Sequence, residues 1–206
     1  MLTIYGVCRS RASRNFWLIN ELGIPFKQVP VIQRYRLKEP LPPGVVHTKS
    51  PEFLKVNPNG HVPSMDDDGL ILHESLAINL YIATKHGGPL APKNVAEDGE
   101  MIMWSLWAVT ELETLTLSIA QSGETPAALE ALKGPLAVLD RALGRTGWLV
   151  GGRFTVADIN VAEIVRYAAT AKSLFAAAPN VKKWYDTCVG RPAYRKMWET
   201  REREPA

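Results

Sequence analysis

Between Cys8 and Trp17 the chain reads CRSRASRNFW, which packs one thiol, two hydroxyls and three guanidinium groups into a single short stretch. Such a set suits a nucleic-acid contact, a redox cysteine, or a site that binds and activates an anion. A nucleic-acid surface would need a basic stripe and stacking aromatics elsewhere, and the sequence carries neither. Cys8 and Cys188 are the only cysteines and stand at opposite ends of the chain, with no disulfide framework, no C-x-x-C pair and no zinc-ligand spacing. Asp66, Asp67 and Asp68 precede Gly69, but their oxygen spacing does not complete a calcium loop and reads as a solvated turn. His47 and His73 lack metal-ligand spacing as well. A second place with chemical potential is Glu74-Ser75 at the start of an apolar helical pattern. There a hydroxyl at a helix start reads either as a plain helix cap or as one end of an anion site.

Elements that would position these groups follow from the apolar spacing. Residues 2–6 (LTIYG) are short, apolar and closed by glycine, the pattern of a buried strand. Ser13 fits a helix N-cap, Phe16, Trp17, Ile19 and Leu22 recur at helical spacing, and Gly23 suits the position after a helix end. Residues 26–32 read as a second strand, residues 35–50 as a proline-rich loop, and residues 51–57 as a short helix with Pro51 in its first turn. Two brief apolar runs around Asp68-Gly69 predict a hairpin, and a helix follows from Glu74 to about His86. The order βαβ-α-ββα, with its right-handed crossover, gives a mixed four-stranded sheet carrying helices: an α/β unit of thioredoxin-like size.

Residues 87–99 hold glycines and prolines without an apolar period and read as a linker. Beyond them only helical patterns are found, over 101–120, 126–143 and 155–169, with shorter pieces to the end. The expected organisation is therefore an α/β domain at 1–86, a linker at 87–99 and an all-α domain at 100–206. Within the latter, Thr155 and Asp158 fit a capping box ahead of Ile159, Val161 and Ile164, a folding device without chemistry of its own.

Composition sets the outer limits. The 206 residues are 46% hydrophobic and 22% charged, with 24 basic and 21 acidic side chains interspersed and a net charge of +3, as in a globular protein with a mixed surface. No apolar run approaches the roughly 18–20 residues that span a bilayer, and MLTIYGV lacks the features of a secretory signal. A cytoplasmic location, with no membrane or nucleic-acid partner, is the expectation.

Together, three motifs carry a resemblance. N-P-x-G-x-V-P (Asn57, Pro58, Gly60, Val62, Pro63) precedes the hairpin and Glu74-Ser75. G-R-x-[ST]-x-A-D (Gly152, Arg153, Thr155, Ala157, Asp158) opens a helix in the second domain, and a late APNVKKWYDTCVGRPAY follows. In this order they resemble the cytosolic glutathione transferase family, of bacterial type, over essentially the whole chain. The resemblance implies a glutathione site in the first domain. Val62, ahead of a cis Pro63, would pair with the ligand's backbone. Ser75 would take the γ-glutamyl carboxylate, Glu74 the ammonium, and Lys49 and His61 would lie near the glycyl carboxylate.

The same resemblance places the thiol-activating group between the first strand and first helix. Ser10 is nearest the serine of the serine-type classes, with Ser13 or a backbone amide, Tyr5 and Cys8 as alternatives. Arg11 stands about where a cysteine-type bacterial class has its cysteine. A free thiol ionises near pH 8.5, so lowering its pKa by about two units needs about 2.7 kcal/mol of preference for the anion. A hydroxyl donor and a helix N-terminus would supply it, with Arg9, Arg11 and Arg14 adding positive field. Trp104, Trp107 and Glu111 would line a pocket for the electrophile.

The implied activity is transfer of the glutathione thiolate to small hydrophobic electrophiles, a detoxification chemistry. Glutathione would be co-substrate, with no metal or prosthetic group, in a homodimer. Two alternatives keep the same fold: glutathione-dependent reduction of peroxides or disulfides, and a low-turnover binding protein for glutathione or hydrophobic ligands.

Overall fold

Strand β1 (Leu2–Tyr5) buries Leu2 and Ile4 on alternate positions, as a strand period requires. It pairs in parallel with β2 (Lys27–Val29) and antiparallel with β3 (Ser64–Asp67), which pairs antiparallel with β4 (Leu70–His73). The sheet order is β2-β1-β3-β4, the mixed four-stranded sheet expected from the sequence. The computed structural model describes residues 1–204. Strand β2 is shorter than the apolar run predicts because Pro30 has no N–H to extend the ladder. Ile32 instead makes an isolated parallel bridge to His47, which pins the loop ahead of Thr48 and Lys49.

Helix α1 (Ser13–Leu22) ends as its sequence predicts, with Gly23 at φ 64° donating its N–H to the Ile19 carbonyl at 2.9 Å. Its start differs from expectation. Ala12 occupies the cap in helical conformation, with no side-chain cap bond, and Ser13 is the first helical residue. The amide that an N-cap side chain would serve is taken up by a tight local turn, with Ser13 N–H donating to Ser10 O at 3.2 Å and Asn15 N–H to Ala12 O at 3.0 Å. Helix α2 (Pro51–Leu54) is a single turn with Pro51 at its start, and α3 (Ser75–His86) follows β4 directly.

The chain divides into two compact units. The first comprises Met1–Ile82 together with the segment from Pro192. The terminal helix, expected within an all-α domain at 100–206, thus belongs to the α/β unit. Its hydrophobic face decides this: Tyr194 and Met197 are buried, and the Tyr194 ring meets Trp17 of α1 edge-on at 4.8 Å. Sandwiched in this way, α1 buries Ser13, Arg14 and Asn15 as well as its apolar residues.

The second unit, Ala83–Arg191, is helical. The linker is shorter than the 87–99 expected, because α4 (Val95–Trp107) begins where the Asn94 side chain accepts the Glu97 N–H at 3.0 Å. The helix predicted over 101–120 is not uniform. A π-helical turn at Ala108–Glu113 joins α4 to α5 (Thr114–Ser122). Next come α6 (Pro126–Thr146), whose buried stripe is Leu132, Leu136, Leu139 and Leu143, and α7 (Val156–Val165), buried along its whole length. Helices α8 (Lys172–Ala177) and α9 (Pro179–Val189) complete the unit, and α10 (Pro192–Arg203) is the terminal helix of the first.

The Gly152–Asp158 box proves architectural. Thr155 and Asp158 form the capping box of α7. Arg153 grips both Glu97 oxygens, at 2.9 and 2.6 Å, and also donates to the carbonyls of Pro89 and Ala91. One guanidinium thus ties the connecting segment to the start of α4. These bonds, with one from Lys93 N–H, hold the Glu97 carboxyl down at about 2.

Candidate active site

A groove of about 580 Å³ opens in the first unit. Its floor is the loop from Asn57 to Pro63, which the buried Asn57 side chain holds from behind. The Asn57 Nδ2 donates to the His61 carbonyl at 2.9 Å and to Ser64 Oγ at 3.1 Å, while its Oδ1 accepts the Asn59 N–H at 3.0 Å. Gly60 sits at φ 63°, and a Cβ there would lie 2.6 Å from the Thr48 carbonyl oxygen. Any side chain would push two walls of the groove apart. Gly60→Ala is expected to lower stability by about 2 kcal/mol, measured by denaturant unfolding; a change below experimental error would contradict this. The Val62–Pro63 peptide is cis.

One side of the groove is formed by Gln33, Arg34 and Tyr35 with Thr48 and Lys49. Thr48 Oγ1 accepts the Arg34 N–H at 3.0 Å, joining the two segments. Lys49 and His61 are both exposed at the groove, and Lys49 N–H donates to His47 Nδ1 at 3.1 Å. Glu74 and Ser75 complete the lining. Glu74 is an exposed non-glycine residue at φ 66°, a sparsely populated conformation that clusters at ligand-binding positions.

Ser75 lies at the N-terminus of α3 and is supported from below by buried polar side chains. Its Oγ accepts a hydrogen bond from Arg14 Nη1 at 3.0 Å, and its carbonyl accepts one from Asn15 Nδ2 at 2.9 Å. Asn15 Nδ2 also donates to Asn79 Oδ1 at 2.7 Å, and Asn79 Nδ2 donates to the Arg14 carbonyl at 3.2 Å. A guanidinium only 1% exposed therefore sits beneath the helix terminus. Charge and helix dipole reinforce each other there, and an anion in the groove meets both.

Of the candidate activating groups, none of the four is a groove-lining residue; their neighbour Arg11 is. Ser10 is buried, its Oγ donating to the Val7 carbonyl at 2.7 Å and accepting the Ala12 N–H at 3.1 Å. Ser13 is 1% exposed inside the first turn of α1. Tyr5 lies in β1 with its ring against Phe53, and burial, then the Asp66 charge, raise its hydroxyl pKa above the usual phenol value. Cys8 is 2% exposed. Trp104 and Trp107 pack edge-on at 5.2 Å in the second unit, with Glu111 exposed on the π-helical turn. Of the three aspartates, Asp66 Oδ1 accepts Gly69 N–H, Asp67 accepts the Tyr81 hydroxyl, and Asp68 pairs with the chain's terminal ammonium.

Two family models match the chain: the glutathione S-transferase N-terminal domain over residues 4–90 and the C-terminal domain over residues 107–192. Glutathione S-transferase F13 of Arabidopsis thaliana is 34% identical over 73% of this chain and 78% of its own. GstB of Escherichia coli is 31% identical over 96% of this chain and 97% of its own. Among solved structures, glutathione transferase F7 from Populus trichocarpa superposes with a TM-score of 0.80 at 25% identity, over 97% of this chain and 99% of that one. The chain belongs to the glutathione S-transferase family. Its fold is that family's, a thioredoxin-like unit and a helical one, and it is a transferase.

Among the described residues, no helix is long and apolar enough to cross a membrane.

Proposed function

We propose that the groove binds glutathione and that the protein transfers its thiolate to small hydrophobic electrophiles. The observation that carries this reading is the Arg14-backed Ser75 hydroxyl in the lining of a groove that Lys49 also lines. Glutathione carries a carboxylate at each end, and the groove has a matching polar group for each. Ser75 and the α3 amides take the γ-glutamyl carboxylate, and exposed Glu74 takes the neighbouring ammonium. Lys49 and His61 receive the glycyl carboxylate. The backbone of Val62 pairs with the cysteinyl amides.

The thiol is activated from the turn between β1 and α1. Ser10 is the donor: it immediately precedes Arg11, which lines the groove, and its hydroxyl, which donates to the Val7 carbonyl in the unliganded protein, would instead donate a hydrogen bond to the ligand thiolate. The thiolate then attacks the electrophilic carbon. The S–C bond forms, the bond to the leaving group breaks with its electron pair, and the thiol proton has already passed to solvent. Trp104, Trp107 and Glu111 line the electrophile pocket in this reading.

Titration calorimetry with glutathione tests the reading. Wild type is expected to bind it, and Ser75→Ala to lose about tenfold or more in affinity, the worth of a hydrogen bond to a charged group. Absence of binding to wild type would refute it.

A second copy of the chain completes the proposed assembly. Ile102, Met103, Leu106 and Val109 are exposed at helical spacing along α4 and the π turn, and Leu70 and Ile71 are exposed on edge strand β4. Two such faces fit a homodimer. A reducing cytoplasm suits the two buried cysteines, which no disulfide joins.

A further inference from the structure

The turn that carries Ser10 is held by the far end of the chain. Glu204, just beyond α10, accepts the Cys8 N–H with Oε1 at 2.8 Å and the Arg9 N–H with Oε2 at 2.7 Å. Arg201 donates from Nη1 to the Cys8 carbonyl, and the Arg201 carbonyl accepts Arg9 Nε at 3.0 Å. Arg36 Nη1 donates to the Arg9 carbonyl at 3.1 Å. Every backbone donor and acceptor of Cys8 and Arg9 is therefore engaged, four of the five bonds reaching them from the terminal segment.

Two successive amides pointing the same way make a concave anion site, and here a carboxylate of the same chain fills it. Such bonds are charge-assisted, and Arg9, Arg36 and Arg201 around them offset the charge of Glu204. The residue that follows this clamped pair is Ser10. We propose that Glu204 and Arg201 are positioning residues that set the turn so that the Ser10 hydroxyl reaches the glutathione sulfur. The inference rests on the reading of Ser10 above. A carboxylate at this position would by its charge alone disfavour a nearby thiolate, so its effect through position and its effect through field have opposite signs.

The test uses Glu204→Ala, Glu204→Gln and, as a control on the same helix end, Glu202→Ala, whose side chain accepts from Trp198. Two measurements are made on each protein. The first is the rate at which a maleimide labels Cys8, which is 2% exposed in the clamped turn. The second is the pH profile of kcat/KM for conjugation, with the ultraviolet absorbance of bound thiolate. Glu204→Ala is expected to speed labelling about tenfold, lower kcat/KM about tenfold and move the acid limb about one pH unit upward. Glu204→Gln, with one acceptor oxygen left, should fall between, and Glu202→Ala should match wild type. Faster labelling with an unmoved pH limb would overturn the proposal, as would an acid limb shifted downward or no change in either measurement. A wild type without conjugating activity would overturn the proposed function and this inference together, whereas an active wild type with an indifferent Glu204→Ala overturns this inference alone.

Discussion

Replacing Ser10 with alanine is expected to lower kcat/KM for glutathione conjugation about 100-fold while leaving glutathione affinity within about threefold of wild type. The argument is electrostatic. A hydrogen bond to the sulfur is stronger to the thiolate than to the thiol, so it acts on ionisation more than on binding. The carboxylate contacts at Ser75 and Lys49 lie elsewhere in the groove and survive the substitution. The acid limb of the pH profile should therefore move up by one to two units, toward the free-thiol value of about 8.5. Ser10 Oγ also accepts the Ala12 N–H at 3.1 Å, and losing that bond should cost about 1 kcal/mol of stability. Thermal unfolding run beside the kinetics separates the two effects. Cys8→Ala and Ser13→Ala provide the comparison. Both side chains are buried, and both variants should keep the wild-type pH limb. Activity of Ser10→Ala within threefold of wild type would exclude the serine, and loss confined to Cys8→Ala would point to redox chemistry.

What the sequence reveals about this site is the part carried by local pattern. The strand-turn-helix that presents Ser10 follows from the short apolar run at residues 2–6 closed by glycine, helical spacing from Phe16 to Leu22, and Gly23. The hairpin follows from Asp-Gly, and the helix start at Ser75 from the apolar period after it. Each of these is a statement about neighbours in the chain. Arg14 was legible only as one of three arginines adding positive field. Its place beneath Ser75 depends on α1 being covered on both faces, a tertiary fact. Glu74 at φ 66° left no trace in composition, because no special residue type marks the strain. In the sequence Asn57 is one member of a motif, and its role as a brace for the groove floor is visible only in its three hydrogen bonds.

The terminal helix shows why the remainder was hidden. In the sequence it is one of the shorter helical pieces near the end, and nothing local says which core accepts its apolar face. Chain order assigns it to the helical domain, whereas packing assigns it to the α/β unit. The contacts of Glu204 with Cys8 and Arg9 join residues almost two hundred positions apart, and no sequence pattern spans that distance. The π-helical turn at Ala108–Glu113 is invisible for a different reason: a brief change of helical period hardly alters an apolar stripe that resumes on the other side.

The largest stability effect is expected at Asp158, where the sequence named a helix cap and the structure adds a junction. Its Oδ2 accepts the N–H and hydroxyl of Thr155 at 2.8 and 3.0 Å, while its Oδ1 accepts the Leu149 N–H at 3.2 Å and the Trp184 indole N–H at 2.8 Å. One carboxylate thus joins the start of α7 to the segment before it and to α9. Asp158→Ala would leave these buried donors without their acceptor, and a loss of about 4 kcal/mol is expected. Asp158→Asn keeps one acceptor oxygen but turns an amide toward the other donors, so it should lose about half as much. Burial pushes the Asp158 carboxyl up from 3.8 to about 6 against the pull of all four donors. The native state therefore holds a proton between those values that the unfolded chain has released. The corresponding stability is fully present below 3.8 and is lost as the pH rises through about 6, a swing of about 3 kcal/mol. Glu97 acts in the opposite sense and elsewhere. Its carboxyl lies at about 2, below the ordinary 4.5, so its contribution is present above that ordinary value and lost only as the pH falls toward 2. Between about pH 5 and 6 only the Asp158 slope of the two operates. Denaturant unfolding of wild type and Asp158→Asn across that interval should show the gap between them narrowing as the pH rises. A gap that stays constant, or widens, would mean that the buried carboxyl is ionised throughout.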